Sequence, residues 1–400
     1  SGTITARVNL GPGIAADPSN ARFRISHDGT STGNASHYHW QVDDVALVES
    51  ETNDLAFVYA QYDNHIAGES TENYQYSVYP FGQIREFTMK GMFTNEGTTA
   101  SSNAEFKATV YDPGMNVVWT DSASISSMPA ATTDSLEIAG FTPASMAEDY
   151  MVEFELSSDS IDSRPDDNMD MGSFSVSEYI YGMDRGERDG TEDTAGDPYY
   201  LGNTFYIEND AEVTGIQVCV AGGGNTDIGA TIAGILFDFN LDPVEFTMDH
   251  DIAGSDLTGT GGANWITLPF DNPVSMFAGE EYFAAVEHFG GQDEVVVATS
   301  GTSFPFVSLI YDQPTDTWFY VTSTPMVRLT FDPTVGIEDN DIVDGVGLGQ
   351  NFPNPHTGNT VIPYSLEQAA DVSLEVYDMT GKLVMTMDEG KRPAGNFRIN

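Results

Sequence analysis

Positive charge and cysteine are scarce in this sequence. Among 400 residues, 14 Lys and Arg stand against 62 Asp and Glu, a formal net charge of −48. No Lys or Arg lies between Arg188 and Arg328. Such a field repels nucleic-acid phosphates and anionic membranes, so we expect neither as a partner. The single cysteine, Cys219, excludes an intrachain disulfide framework, and its place in a strand pattern predicts an inert packed thiol.

Long apolar runs and enzyme motifs are missing as well. No stretch has the length of a membrane span, so we expect no membrane insertion. The sequence has no Gly-x-Ser-x-Gly elbow, no His-Glu-x-x-His zinc motif and no phosphate-binding loop. The acids are spread over predicted turns, which is typical of a solvated surface. We therefore expect a protein that is not an enzyme.

Strand patterns fill the chain instead. Apolar residues alternate with polar ones at a period of two, and Gly, Pro, Asn and Asp separate the runs. Phe106, Ala108 and Val110 follow this pattern, and so do Tyr150 and Val152. The sequence predicts an all-β fold of tandem β-sandwich modules, jelly-roll and immunoglobulin-like, that are partial at both ends.

Composition and turn spacing predict five segments. Residues 1–49 are the end of a jelly-roll domain, 50–183 an immunoglobulin-like sandwich, and 184–199 an acidic linker. A jelly-roll sandwich follows over 200–333, and 334–400 begin a small C-terminal module. Because the first strands, Thr3–Val48, have too few partners within their own segment, we expect them to pair with strands from elsewhere. The partners are either strands of the polypeptide before Ser1, which the match at His39–Val48 favours, or strands of a second copy.

Linked motifs mark the C-terminal module. Asn351, Phe352, Pro353, Asn354 and Pro355 form a tract whose prolines favour extended, unpaired backbone. Two strand motifs follow it, Ile-Pro-Tyr-Ser-Leu at 362–366 and Val-Tyr-Asp-Met-Thr-Gly-Lys-Leu-Val at 376–384.

Together these motifs resemble the type A C-terminal sorting domain of the type IX secretion system of Bacteroidetes-type bacteria. The resemblance covers about 335–400, and the last strands of the family are absent from the chain. It implies a secreted or cell-surface protein of a Gram-negative bacterium, with the type IX secretion machinery as a partner.

The upstream modules carry looser resemblances. His39–Val48 resembles the last strand of cleaved-adhesin or MAM-like jelly-roll modules of secreted Bacteroidetes proteins. Asn95-Glu-Gly97, followed later by an Asp-rich loop before the last strand, resembles cell-adhesion-related (CARDB-like) modules. Both resemblances imply a surface or adhesive protein.

Two Asp-rich loops are candidates for Ca²⁺, which prefers hard oxygen ligands. The first contains Asp159, Asp162, Asp166, Asp167 and Asn168, and its spacing is not that of an EF-hand. The second contains Asp238 and Asp242, together with Asp249, Asp251 and Asp256. The alternative for both loops is a solvated hairpin tip without metal.

Three interpretations of function remain open from the sequence. The first is a secreted structural or adhesive protein, including a fibre subunit that pairs with itself. The second is the non-catalytic C-terminal part of a larger secreted hydrolase or protease. The third is a carbohydrate-binding module over Tyr200–Pro333 that meets surface glycans through exposed aromatic residues such as Trp265 or Trp318. A solvent-facing row of aromatic side chains on one sheet would favour the third.

Overall fold

The structure, a computed structural model, describes residues 51–63, 75–194, 196–291, 293–304, 306–335, 346–348, 362–366, 368–377 and 382–399. In these ranges the regular structure is β-strand, with three short 3-10 turns and no α-helix. The predicted all-β class of tandem sandwiches is confirmed. The predicted segment 1–49, including Thr3–Val48 and its expected strand exchange, lies outside the described residues. No helix in the described ranges is long and apolar enough to cross a membrane.

Eight strands form a first sandwich of two sheets. They are β1 (Leu55–Gln61), β2 (Val78–Pro80), β3 (Phe87–Asn95), β4 (Ser101–Tyr111), β5 (Val117–Met128), β6 (Thr133–Phe141), β7 (Glu148–Ser157) and β8 (Met169–Ser177). One sheet has the order β1-β3-β6, and the other has the order β2-β8-β7-β4-β5. All pairs are antiparallel except β2 with β8.

The period-two pattern of these strands produces the core between the two sheets. Alternate side chains of β3 and β4, such as Phe87, Met89 and Phe106, are fully buried. Burial of each side chain of this size contributes roughly 1.5–3 kcal/mol. Gly91 in β3 faces the Phe106 ring, and a Cβ atom there would lie 2.6 Å from the ring. The close approach of the two sheets therefore requires glycine at that position.

Sixteen strands build the second module. They are β9 (Ile180–Tyr181), β10 (Gly190–Glu192), β11 (Tyr199–Tyr206), β12 (Ala211–Val218), β13 (Val220–Ala221), β14 (Thr231–Phe237), β15 (Pro243–Phe246), β16 (His250–Asp251), β17 (Leu257–Thr258), β18 (Ile266–Met276), β19 (Glu281–His288), β20 (Val297–Thr302), β21 (Ser308–Asp312), β22 (Thr317–Tyr320), β23 (Ser323–Pro325) and β24 (Val327–Thr330). Cys219, between β12 and β13, is buried as expected, and burial raises the pKa of its thiol to about 12.

Three sheets share these strands. The largest has the order β15-β14-β19-β11-β21-β22, with β16 beside β14. A second sheet has the order β18-β12-β24-β9. The third has the order β10-β20-β13-β17, with β23 beside β20.

The predicted linker at 184–199 is part of the second module over much of its length. Its strand β10 pairs with β20. Asp184 is fully buried and makes two 2.7 Å hydrogen bonds with Arg328, whose guanidinium lies 4.1 Å from the centre of the Trp265 ring. Arg328 and β20 lie over 100 residues away in sequence from their partners in this segment, so the composition of the segment gives no sign of them.

A third, smaller module lies at the C-terminal end. Its strands are β25 (Val346–Leu348), β26 (Ile362–Leu366), β27 (Ala370–Tyr377), β28 (Leu383–Arg392) and β29 (Gly395–Ile399). One sheet has the order β25-β26-β29, and β27 pairs with β28. Tyr364, Leu366 and Ile399 form a core separate from that of the other modules. The proline tract from Asn351 to Pro355 lies outside the described residues.

One continuous apolar core joins the first two modules. It extends from Leu55 in β1 to Leu329 in β24. At the junction, Tyr76 packs against Tyr181 with ring centroids 4.1 Å apart, and against Phe205 at 6.1 Å. The first two modules therefore share buried aromatic side chains.

Buried polar contacts fix the same junction. Arg85 donates to Asp63 at 2.7 Å and forms an ion pair with Glu208 of the second module at 3.1 Å. Tyr79 donates to Asp63 at 2.6 Å. The Gln83 side chain accepts a hydrogen bond from the Glu208 amide at 2.8 Å. Displacing either partner of an ion pair buried in this way would leave an uncompensated charge in the core, so the pair opposes separation of the two modules.

The junction has a testable dependence on pH. Burial raises the pKa of Asp63 to about 6, against the attraction of Arg85. Because the folded state then holds this proton more tightly than the unfolded state does, the Asp63 contribution to stability is fully present below about pH 4 and is lost as the pH rises through 6. We expect the unfolding free energy of the wild type, relative to Asp63→Asn, to fall by about 3 kcal/mol over this window.

Urea unfolding between pH 3.5 and 7 measures this difference. Asp121→Asn, which alters an exposed acid in β5, is the control. A difference between wild type and Asp63→Asn that stays constant, or grows with pH, would contradict the assignment.

Candidate functional site

The outer face of the largest sheet is apolar, as its inner face is. In β11, Tyr199 and Leu201 point into the continuous core, whereas Tyr200 lies on the opposite face. On that outer face four side chains are buried beside one another: Ile235, Phe237, Phe283 and Ala285. Half-buried residues cover them, namely Tyr200, Leu241, Leu309 and Trp318. A small second core therefore lies on the outside of the sheet.

A row of side chains crosses four adjacent strands on this face. The strand register places Glu287 of β19 opposite Tyr200 of β11, Tyr200 opposite Tyr311 of β21, and Tyr311 opposite Trp318 of β22. The Tyr200 and Tyr311 rings stack at 5.5 Å with an interplanar angle of 9°, and Trp318 follows Tyr311 at 4.8 Å. Neighbouring strands thus set three aromatic rings side by side.

The small outer core supports the end of this row. The Trp318 ring contacts Phe283 at 5.4 Å and Phe237 at 5.9 Å, both nearly edge to face. Such T-shaped pairs are the favoured geometry for aromatic rings. Trp318 is therefore held in place from below while part of its surface remains accessible.

Two more aromatic residues extend the accessible surface. Tyr320 lies opposite Leu309 on the same face, and its ring is 5.1 Å from that of Phe306. Their exposed fractions are 53% for Tyr320 and 58% for Phe306. Phe306 has a φ of 63°, a conformation that bulky side chains rarely adopt. We name the set Tyr200, Phe306, Tyr311, Trp318 and Tyr320 the aromatic platform.

Carboxylates border the aromatic platform. Tyr311 donates to Asp316 at 2.5 Å. Burial raises the pKa of the half-buried Glu287 carboxyl, and a hydrogen bond from the Tyr200 side chain offsets part of that rise. No Lys or Arg occurs in the sequence between Arg188 and Arg328. These carboxylates can therefore accept hydrogen bonds from a ligand, and they disfavour an anionic one.

The structure separates the predicted aromatic candidates, Trp265 and Trp318, and places two further aromatic residues of this module, Phe283 and Phe319, apart from each other. Phe283 is buried in the small outer core, and Trp318 belongs to the aromatic platform. Phe319 is exposed, but the register places it opposite Ile310, on the other face of the sheet. Trp265 lies under Arg328 rather than on the platform.

Sequence reasoning missed Tyr200, Tyr311, Phe306 and Tyr320. One signal was available for the first two. In β14, Thr-Ile-Ala-Gly-Ile-Leu-Phe is apolar on both faces, which is typical of a strand covered on both sides. Such a strand predicts that side chains from the neighbouring strands of its sheet cover its outer face.

The first Asp-rich loop closes one end of the first sandwich. Asp162 accepts hydrogen bonds from the backbone amides of Leu55 at 2.8 Å and Arg164 at 2.7 Å. Asp159 accepts one from the Asn103 side chain at 2.7 Å. The Arg164 guanidinium lies 3.7 Å from Asp167. Asp166 and Asn168 flank Asp167 at the end of a short 3-10 turn. The loop therefore contains a positively charged side chain, Arg164, among its carboxylates.

The second Asp-rich loop uses its acids as turn caps. Asp238 accepts hydrogen bonds from the backbone amides of Asn240 at 2.8 Å and Asp242 at 3.0 Å, which closes the β14–β15 hairpin. Asp251 accepts one from Thr231, and Asp256 one from His250. Across the described parts of the chain, no group of three or more His, Cys, Asp or Glu side chains is placed to hold a metal ion. Calcium at these loops stays a prediction.

Salt titrations distinguish calcium binding from charge screening. Because acids greatly outnumber bases, screening alone predicts that the melting temperature rises with NaCl. A site in the first loop predicts a further rise with CaCl₂ over MgCl₂ at matched ionic strength, which Asp166→Asn abolishes and Asp121→Asn retains. Equal responses of the wild type to the two divalent salts would contradict calcium binding.

Comparison with known families identifies the C-terminal module. Residues 350–399 match the family model of the secretion system C-terminal sorting domain. The predicted sorting domain is confirmed. The protein is therefore secreted or displayed at the cell surface of a Gram-negative bacterium of the Bacteroidetes group, and the type IX secretion machinery is its export partner.

The remaining comparisons concern the modules before the sorting domain. No curated protein matches the chain. A two-domain protein with unknown function from Bacteroides fragilis NCTC 9343 is 10% identical, with a TM-score of 0.21 over 62% of this chain and 94% of that one. The secreted serine protease VesC from Vibrio cholerae is 10% identical, with a TM-score of 0.17 over 57% and 50% of the two chains. These TM-scores are too low to bear on function.

Export should depend on the sorting domain, whose core is separate from that of the first two modules. We expect deletion of everything from Val335 onward to leave the first two modules folded but retained in the periplasm. Cell fractionation with immunoblotting locates the protein, and circular dichroism checks its fold. Appearance of the truncated protein outside the cell at the wild-type level would contradict this role.

Proposed function

We propose that this protein is a non-catalytic adhesive protein of the cell surface, which attaches through the aromatic platform of its second module. The observation that carries the proposal is the platform itself: four aromatic side chains on the outward face of one sheet, with Phe306 of the turn that precedes β21 beside them. An apolar surface of this kind is costly to expose to water and is typical of an interaction site. The proposal includes the finer identity of the modules as immunoglobulin-like (CARDB-like) and jelly-roll.

The use of the acidic groups supports a role without catalysis. Asp63 and Asp184 are held by arginines, whereas Asp162 and Asp238 accept hydrogen bonds from backbone amides. Carboxylates engaged in this way stabilise loops and junctions. The same arrangement suits the non-catalytic part of a larger hydrolase, and no contact among the described residues favours that alternative over adhesion.

A fibre role finds support at one sheet edge. Strand β5 is 12 residues long and borders its sheet, where it pairs with β4 in the described structure. It contains a single charged residue, Asp121, and no proline. Natural sheet edges usually carry charges or prolines that discourage strand addition. This edge is therefore open to pairing with a second copy, whereas the segment predicted to pair, Thr3–Val48, lies outside the described residues.

The adhesive function is tested in cells that produce platform variants. We expect Tyr200→Ala combined with Trp318→Ala to lower attachment of the cells to solid surfaces to the level of a strain lacking the protein, because the variant removes the two ends of the stacked row. Phe319→Ala, on the opposite face of the same sheet, should attach like the wild type. Antibody labelling of intact cells confirms equal display.

Attachment that is unchanged both in the strain lacking the protein and in the platform variant would contradict an adhesive function.

A further inference from the structure

We infer that the aromatic platform binds a neutral polysaccharide, with the rings of Tyr200, Tyr311 and Trp318 stacking on successive sugar rings. This inference rests on the adhesive function proposed above and names the ligand of the same site. It follows from three features of the platform: the row of rings, the acceptors beside it and the charge around it.

The row of rings suits an extended ligand rather than a small compact one. Tyr200, Tyr311 and Trp318 come from three adjacent strands, so the row runs across the sheet. The Tyr200 and Tyr311 rings are nearly parallel, with 9° between their planes and centroids 5.5 Å apart. A pyranose ring presents an apolar C–H face that packs on an aromatic ring, and a polymer presents one such face after another. The platform therefore fits a chain of pyranose units.

The polar groups at the row are hydrogen-bond acceptors. Glu287 lies next to Tyr200 in the row, and Asp316 is bonded to the Tyr311 hydroxyl. A few fixed polar groups among apolar ones are what orients a ligand in a binding site. Sugar hydroxyls, which ring the edge of each pyranose, are the donors that such carboxylates require.

The negative charge of the protein decides which class of polymer can bind to the platform. With no Lys or Arg in the sequence between Arg188 and Arg328 and a net charge of −48, an anionic polysaccharide would be repelled. A basic peptide would be attracted by the field, but it offers no series of flat apolar faces for the three rings. A neutral hexose polymer satisfies both the rings and the acceptors, and its affinity should be nearly independent of salt.

Affinity electrophoresis of the full chain tests the ligand class. The probes are amylose, β-glucan, xyloglucan and galactomannan as neutral polymers, alginate as an anionic polymer, and polylysine as a basic one. We expect retardation by at least one neutral polymer, equal at 0.05 and 0.5 M NaCl. Trp318→Ala and Tyr311→Ala should each weaken binding about tenfold, and Glu287→Gln about fivefold.

Controls separate binding from folding. Phe319→Ala should bind like the wild type, since its side chain lies on the other face. Because Trp318 also covers Phe237 and Phe283, Trp318→Phe should restore most of the affinity, and the melting temperature of every variant is measured. Tyr311→Ala, farther from that small core, keeps the test valid if Trp318→Ala unfolds.

Three results would overturn the inference: binding of alginate or polylysine alone, neutral-polymer binding that Tyr311→Ala and Trp318→Ala leave intact, or no binding of any neutral polymer. If such a result is found while the platform variants still lose cell attachment, the ligand class is wrong and the adhesive function stands. If attachment is also unaffected, the proposed function fails with it.

Discussion

The buried junction between the first two modules is the constraint on which the rest of the structure depends. Arg85 is held there between Asp63 of its own module and Glu208 of the next, at 2.7 and 3.1 Å. Around it, Tyr76 and Tyr181 pack at 4.1 Å within a core that continues through both modules. Displacing either charge in such surroundings would leave the other buried alone, so the pair opposes separation of the two modules. The two sandwiches are thus joined by their interiors.

The junction has consequences for a protein that is exported to the cell surface. In the adhesive role proposed above, attachment would transmit force along the chain, and a shared core resists separation of the two modules better than a solvated linker does. The aromatic platform lies on the outer face of the second module. Its small outer core, built on Phe237 and Phe283, holds Trp318 in place. For the proposed ligand, such preorganisation would lower the entropic cost of binding.

Local pattern predicted much of the strand content, because alternation is a property of a few consecutive residues. The alternation at Phe106 and Tyr150 was predicted, and both side chains are buried in strands. Contacts over long sequence separations could not be predicted in this way. The pairing of Asp184 with Arg328 joins residues 144 positions apart.

The platform depends on strand order, which brings Tyr200 beside Tyr311 although nothing in the sequence links them. Trp318 alone of the platform was a candidate beforehand.

Hydrogen exchange measured by mass spectrometry at increasing urea concentration shows whether the first two modules unfold as one unit around their shared core. If one core joins the modules, peptides from β4 and β7 in the first sandwich and from β14 and β19 in the second lose protection together, with one free energy of opening. Peptides of the sorting domain are free to exchange separately, because its core is distinct. Protection lost in one sandwich at urea concentrations where the other remains fully protected would contradict a shared core.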